Sequence, residues 1–279
     1  MSGQLKTMAY WGGKNPNWKY GTGVWISQFL PYSRMYVEPF AGMLGILLQR
    51  KKSPMEIVND LDGMLYSYWK CVRDYPDELG HKLANTPTCR RTFERAKTIR
   101  DDFVSGKNVE LVEIAHSVAV ILQFGFNGRL TSKSMPISIF GKRKNIRGVG
   151  ENMAKLHQRI SGIEIENVCV LKLLDKLKDV SDTVIYCDPP YPSKKQNEYN
   201  FDIPNMSDFV DLLKKQKGRV AVSSYDGDFD VLDWHKELLD VQVAKTNNWG
   251  DNEKDHTLNR VEALWTNFEP ETQQTLLDL

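Results

Sequence analysis

Residues 34 to 60 read RMYVEPFAGMLGILLQRKKSPMEIVND. Met35, Tyr36 and Val37 make a short β-rich run that Pro39 and Gly42 stop. MLGILLQR (43–50) then reads as a helix, and MEIVND (55–60) as a second strand ending in an acid. Strand, glycine turn, helix, strand, acid is the opening of a βαβ unit in a parallel sheet. A glycine at a strand end lets the backbone approach a ligand, and a helix after it aims free N–H groups there. Such turns are also common structural punctuation, so Glu38-Pro39-Phe40-Ala41-Gly42 alone specifies no ligand. Asp60 stands where nucleotide-binding βαβ units set an acid on ribose hydroxyls, close to the customary ~20 residues after the glycine. Capping of a helix starting near Leu61 is an equal alternative for it.

Outward from this unit, Val24 to Leu30 forms an apolar segment on the N-terminal side. From Gly63 to about Phe126 apolar residues recur at helical spacing: Leu65, Tyr68, Trp69 and Val72, later Ile114, Val118, Ile121 and Leu122. The stretch GFNGRLTSKSMPISIFGKRKNIRGVG (125–150) reads as a hairpin or ordered loop, and Asn152 to Ile160 as a helix. The β pattern returns in IEIENVCV, DTVIYCD, RVAVSSYD and VEALWTNF, separated by helical stretches such as Met206 to Gln216. A helical lobe therefore interrupts an α/β domain, with no internal repeat.

The net charge of +1 says nothing about a polyanionic partner, but its distribution does. Between Ile114 and Gly150 there is no Asp or Glu, while Arg129, Lys133, Lys142, Arg143, Lys144 and Arg147 all fall inside. Over 37 residues such a field attracts phosphate, which points to a polyanion-facing surface. Four widely spaced cysteines, without a Cys-x-x-Cys pair or a His-Glu-x-x-His, argue against structural zinc and a disulfide framework. The N-terminal residues lack the apolar core of a secretory signal, and no apolar run approaches membrane length, so a cytoplasmic protein is expected.

Asp188-Pro189-Pro190-Tyr191 is the most specific signal. Those four residues in order should arise by chance in a chain this size about once in a thousand sequences. A strand-ending turn accounts for the prolines but not for the aspartate and tyrosine beside them. Pro190 has no N–H and a fixed φ, so the turn is stiff and the carbonyl of Pro189 can be held outward. A carboxylate and a fixed carbonyl are two acceptors side by side, matching the two hydrogens of an exocyclic amine. The lone pair of that amine is delocalised into its ring. Two acceptors favour a pyramidal nitrogen with a localised pair, which is electrostatic preorganisation for transfer to nitrogen. Tyr191 offers a face for an unstacked base.

At these residues the chain resembles the Dam-type (D12 class) DNA adenine-N(6) methyltransferases over nearly its whole length. The family's N-terminal element is similar to Tyr10-Trp11-Gly12-Gly13-Lys14, its Glu-Pro-Phe-x-Gly turn to 38–42, its strand-end acid to Asp60, and its Asp-Pro-Pro-Tyr to 188–191. VAVSSYD and VEALWTN resemble its closing strands. The resemblance implies a Rossmann-like α/β sheet with an inserted, mostly helical subdomain. Residues 1–64 and 163–279 would form the catalytic domain, and 65–162 a target-recognition insert with a basic hairpin or loop. It further implies S-adenosylmethionine as cofactor, contacted by Tyr10, Trp11, Lys14, Glu38, Phe40, Gly42, Asp60 and Asp188. Catalysis would rest on Asp188, Pro189 and Tyr191. Duplex DNA, held by the six basic residues of the acid-free window, would be the partner, with no metal and no membrane. A monomer or weak dimer in a bacterial or phage-infected cell, with or without a cognate restriction endonuclease, fits the same family.

The chain departs from the family at the turn, where Leu44 takes the place of a second glycine and Gly45 follows. Amino methylation of RNA adenine or DNA cytosine is the alternative activity. Cytosine enzymes usually show Ser before the proline pair, and RNA enzymes often Asn, so Asp188 favours DNA adenine. Carbon-5 methylation needs a nucleophilic cysteine, normally in a Pro-Cys pair, and the chain has none. A non-catalytic DNA binder on the same scaffold would be expected to lose Asp188 or Lys14, and both are present.

Overall fold

The computed structural model describes residues 5, 7–10, 12–14, 22–136, 146–192, 203, 205–243 and 258–270. After helix α1 (Thr22–Phe29) come strands β1 (Met35–Glu38) and β2 (Met55–Asn59). Six helices follow: α2 (Gly63–Asp74), α3 (Pro76–Ala84), α4 (Arg90–Val104), α5 (Leu111–Phe124), α6 (Arg147–Glu151) and α7 (Met153–Ile160). The chain then runs through β3 (Glu164–Glu166), α8 (Val170–Leu177), β4 (Thr183–Cys187), α9 (Met206–Lys214), β5 (Arg219–Tyr225), β6 (His235–Val243) and β7 (Leu258–Thr266). The sheet order is β3-β2-β1-β4-β5-β7-β6. The first five strands are parallel; β7 enters antiparallel to β5, and β6 antiparallel to β7. This is a Rossmann-like mixed sheet, as expected.

Strand side chains alternate between two cores. Tyr36, Val58, Val184 and Tyr186 face a cluster that takes in α2, α3, α4, α5 and α7. Val37, Ile57, Ile185, Cys187, Val220 and Val222 face a second cluster with α8 and α9. Being covered on both faces, β1 and β4 read as continuous apolar runs rather than alternating ones. The helices between β2 and β3 thus share one core with the sheet. Arg159 of α7 strengthens the join: it forks onto the buried Glu56 of β2 (Nη2 to Oε1 2.9 Å) and reaches the carbonyl of Leu47 at 2.8 Å.

Two local expectations are corrected. MLGILLQR is not an α-helix; between β1 and β2 lies only a 3-10 turn, Leu47–Gln49. Gly42 (φ +47) and Leu44 (φ +55) are both left-handed, which breaks the helical run despite its apolar content. The Gly42 turn therefore does not lead into an α-helix before β2. IEIENVCV is strand only at Glu164–Glu166, and its Val170 already begins α8. Within 125–136 there is a 3-10 turn (Phe126–Gly128) and no strand, while 137–145 lie outside the described residues. Strand β6, with His235, Lys236, Glu237 and Asp240, carries too many charges to stand out in the sequence.

Candidate active site

The strand order reverses between β1 and β4, and parallel sheets take ligands beyond the carboxyl ends of their strands at that switch point. Glu38 to Gly42, Asn59-Asp60 and Asp188 to Tyr191 all leave the sheet there. Residues 38–42, Asn59, Asp60, Asp188 and Pro190 border a cleft of about 1410 Å³, counting its open mouth, while Pro189 and Tyr191 are not in its lining. Tyr10, Lys14, Glu38, Phe40, Gly42, Asp60 and Asp188 all line it, so seven residues chosen from separate motifs meet in one place. Trp11 lies outside the described residues.

The floor of the cleft is tied together by backbone. Asp60 accepts the N–H of Gly42 (Oδ2, 2.8 Å) and that of Asp62 (Oδ1, 2.9 Å). Asn59 donates to the carbonyls of Pro39 (3.0 Å) and Val168 (3.1 Å), and Trp69 to that of Gly42 (2.8 Å). The helix cap is not Asp60 but Asp62, whose carboxylate accepts the Met64 N–H at 2.8 Å. Burial pushes the Asp60 carboxyl up to about 7, with Asp62 adding to it and the Asp62 and Gly42 N–H groups opposing it. Burial likewise takes Glu38 up to about 7 against the donated Tyr36 hydroxyl at 2.7 Å. Leu44, fully buried, holds the left-handed conformation that glycine adopts freely; burying its side chain offsets a backbone cost of about 1–2 kcal/mol.

Beyond β4 lies a buried charge cluster. The Lys14 ammonium sits 2.9 Å from Asp188 Oδ1 and 3.0 Å from Glu262 Oε1. The Tyr191 hydroxyl accepts from Lys14 and donates to Glu262. Ser223 donates to Asp188 Oδ1 at 3.1 Å and is itself 2.8 Å from the Tyr186 hydroxyl. Burial raises the Asp188 carboxyl, with Lys14 pulling it back. Burial by itself would lower Lys14, but Asp188 and Glu262 outweigh it and hold the ammonium well above its usual value. Two carboxylates and one ammonium leave the cluster one negative charge in surplus.

The backbone of Lys14 is clamped. A Cβ on Gly23 would lie 2.3 Å from the Lys14 carbonyl oxygen, and one on Gly45 would lie 2.6 Å away. Gly45 is thus required where the chain departs from the family turn, to admit the Lys14 segment rather than a ligand.

Tyr191 is turned inward: its ring is 6% exposed and packs edge-on against Tyr225, centroids 4.8 Å apart. Pro189 is buried beside it. The basic residues do not act as one set. Arg129 lines the cleft, Lys133 is exposed, and Arg147 is exposed but paired with Glu151 at 2.9 Å. Lys142, Arg143 and Lys144 lie outside the described residues. Sequence reasoning misses Glu262 and Ser223. The available signal for Glu262 is a lone carboxylate inside the apolar strand Val261 to Trp265, where charges are rarely buried unless paired.

Among the described residues no His, Cys, Asp and Glu group could hold a metal ion, and no helix is long and apolar enough to cross a membrane. A family model for the D12 class N6 adenine-specific DNA methyltransferases matches residues 10–226. A search of curated proteins finds no match. Among solved structures, the chain is similar to the rRNA methyltransferase AviRa from Streptomyces viridochromogenes, with 13% identity and TM-score 0.34. That alignment covers 88% of this chain and 82% of that one. Precorrin 8W decarboxylase from Methanobacterium thermoautotrophicum aligns with 9% identity and TM-score 0.38, over 88% of each chain.

Proposed function

The chain belongs to the D12 class of N6 adenine-specific DNA methyltransferases, and from that premise we propose that it methylates an adenine extruded from a specific duplex site, with S-adenosylmethionine as donor. The observation that carries this reading is the convergence of Asp188, Pro190 and the Gly42/Asp60 floor on one cleft at the switch point.

The cleft fits the donor's chemistry. Gly42 presents no side chain to it, Phe40 and Val170 give apolar walls, and Asp60 and Glu38 offer acceptors for hydroxyl and amino groups. When bound there, S-adenosylmethionine supplies a methyl group activated by a sulfonium. Asp60 and Glu38 would hold it, with Tyr10, Phe40 and Gly42 shaping the site and Lys14 and Asp188 at its inner edge. Asp188 and the Pro189 carbonyl would accept the two hydrogens of the adenine amine and localise its lone pair; as the N–C bond forms and the donor's S–C bond breaks, one of those hydrogens would leave as a proton to solvent. Positive charge meanwhile develops on that nitrogen, and the surplus negative charge of the Asp188 cluster is of the right sign to stabilise it. The helices between β2 and β3, with the basic window, are the part we assign to target recognition.

Labelled S-adenosylmethionine, incubated with the protein and unmethylated duplex DNA, should transfer label to the DNA. Asp188→Ala should stop transfer while calorimetry still detects donor binding. Undiminished transfer by that variant would remove Asp188 from the mechanism.

A further inference from the structure

Asp188 is already engaged in this structure. Its Oδ1 takes the Lys14 ammonium at 2.9 Å and the Ser223 hydroxyl at 3.1 Å. If the adenine amine docks on Asp188, as the functional reading above requires, it meets a carboxylate whose Oδ1 already holds two donors, so that oxygen is contested by Lys14. The ammonium, however, has a second place to go. Glu262 stands 3.0 Å from the same nitrogen, and the Tyr191 hydroxyl bridges the two by accepting from Lys14 and donating to Glu262.

We infer that Lys14 is a movable stand-in for the target amine, holding Asp188 until adenine arrives, and that Glu262 with Tyr191 is the berth to which it withdraws. This rests on the functional reading and assigns Glu262 and Lys14 as positioning residues for it.

Four features support the exchange. An ionised Asp188 with no cation beside it would carry a large desolvation cost in so buried a place, and Lys14 removes that cost while the substrate is absent. Glu262 is 7% exposed on a central strand, where a carboxylate persists only with a partner, and this ammonium is such a partner. The lysine backbone is pinned by Gly23 and Gly45, so movement falls to the side chain, whose methylenes can swing the nitrogen between two carboxylates. Finally, exchange of an ammonium for a neutral amine at Asp188, with the ammonium retained on Glu262, leaves the cluster's surplus negative charge unchanged as the reacting nitrogen becomes positive.

The arrangement makes an unusual prediction: a defect at the berth should be relieved by removing the lysine. Glu262→Gln keeps the shape but leaves Asp188 as the charged partner of Lys14, so adenine competes less well. At saturating S-adenosylmethionine, kcat/KM for DNA should fall about 10-fold to 100-fold, with KM for the donor unchanged. Tyr191→Phe alters no charge and removes one acceptor from the berth, so kcat/KM for DNA should fall about 3-fold to 10-fold. Adding Lys14→Met to either variant should restore a large part of the loss. Thermal unfolding of each variant ensures that rates are compared between folded proteins, and Tyr191→Phe carries the test should Glu262→Gln fold poorly. If both double variants are as slow as, or slower than, their single parents while wild type methylates DNA, Lys14 does not compete with adenine and the inference fails alone. If wild type transfers no methyl group to DNA, the functional reading falls and takes the inference with it.

Discussion

The cleft at the strand tips and the acid-free window between Ile114 and Gly150 both stand out in the sequence, on different grounds. The cleft is marked by residues in fixed order, each with a stereochemical role. A proline stiffens, a glycine clears space and a carboxylate accepts. The window is marked by composition. The structure gathers most of the first set around one cleft and divides the second. Arg129 turns into the cleft, Arg147 pairs with Glu151, and Lys133 stands in solvent. Order along the chain encodes geometry; charge content encodes only a field.

The largest effect is expected at the cleft's centre. Asp188→Asn, isosteric and uncharged, should lower single-turnover methyl transfer by about 100-fold to 1000-fold, the cost of removing one preorganised charge-stabilising group. Donor binding followed by calorimetry should be largely kept. A change of less than about 10-fold would put Asp188 with the window residues, as field rather than geometry.

Gly45→Ala comes next. Its Cβ would fall 2.6 Å from the Lys14 carbonyl, so either the turn or the Lys14 segment must shift. A loss of about 1–3 kcal/mol of stability is expected in denaturant unfolding. Lys133→Ala in the window should change stability by less than about 0.5 kcal/mol. Equal losses would mean that the clamp is looser than its distances.

A pH experiment addresses the cleft floor. Burial holds Asp60 up to about 7 in the folded protein. Its ionised form is the better acceptor for ribose hydroxyls, so donor affinity should rise as pH climbs towards 7 and level off above it. The slope should be up to about tenfold per pH unit, and it should flatten in Asp60→Asn. The same shift gives the opposite sign for folding: a carboxyl with a raised folded pKa contributes stability at low pH that is lost as pH rises through about 7. An identical affinity profile for wild type and Asp60→Asn would detach Asp60 from the donor.

The smallest effects belong to the window. Replacing Arg143 and Lys144 together by Ala should flatten the log–log salt dependence of DNA binding by about one unit for each phosphate left without its cation. Arg147→Ala should do less, since Glu151 already claims that guanidinium. Arg129→Ala should weaken donor binding and leave the salt slope alone. A slope change at Arg129 equal to that at Arg143 and Lys144 would reunite the window.

What is legible in the sequence follows the same division. The parallel strands β1, β2, β4 and β5 announce themselves as apolar runs stopped by turn residues, and the cleft residues by motif. The helix expected at 43–50 fails because apolar content does not reveal that Gly42 and Leu44 take positive φ. Strand β6 stays hidden because it is rich in charge and pairs only with β7 among the described strands. Glu262 and Ser223 act through partners far away in sequence, Tyr191 and Asp188, and no local pattern records that distance. By residue type Tyr191 is a ring for stacking, which phenylalanine would serve equally. Its hydroxyl has two buried partners, a role that a pattern of residue types does not show.

The most direct test of the central claim is the identity of the methylated nucleoside. Unmethylated duplex DNA treated with the protein and isotopically labelled S-adenosylmethionine should, after digestion and mass spectrometry, carry its label on N6-methyldeoxyadenosine, and Asp188→Ala should leave that nucleoside unlabelled. Label on N4-methyldeoxycytidine, or label found in RNA and absent from DNA, would contradict the account.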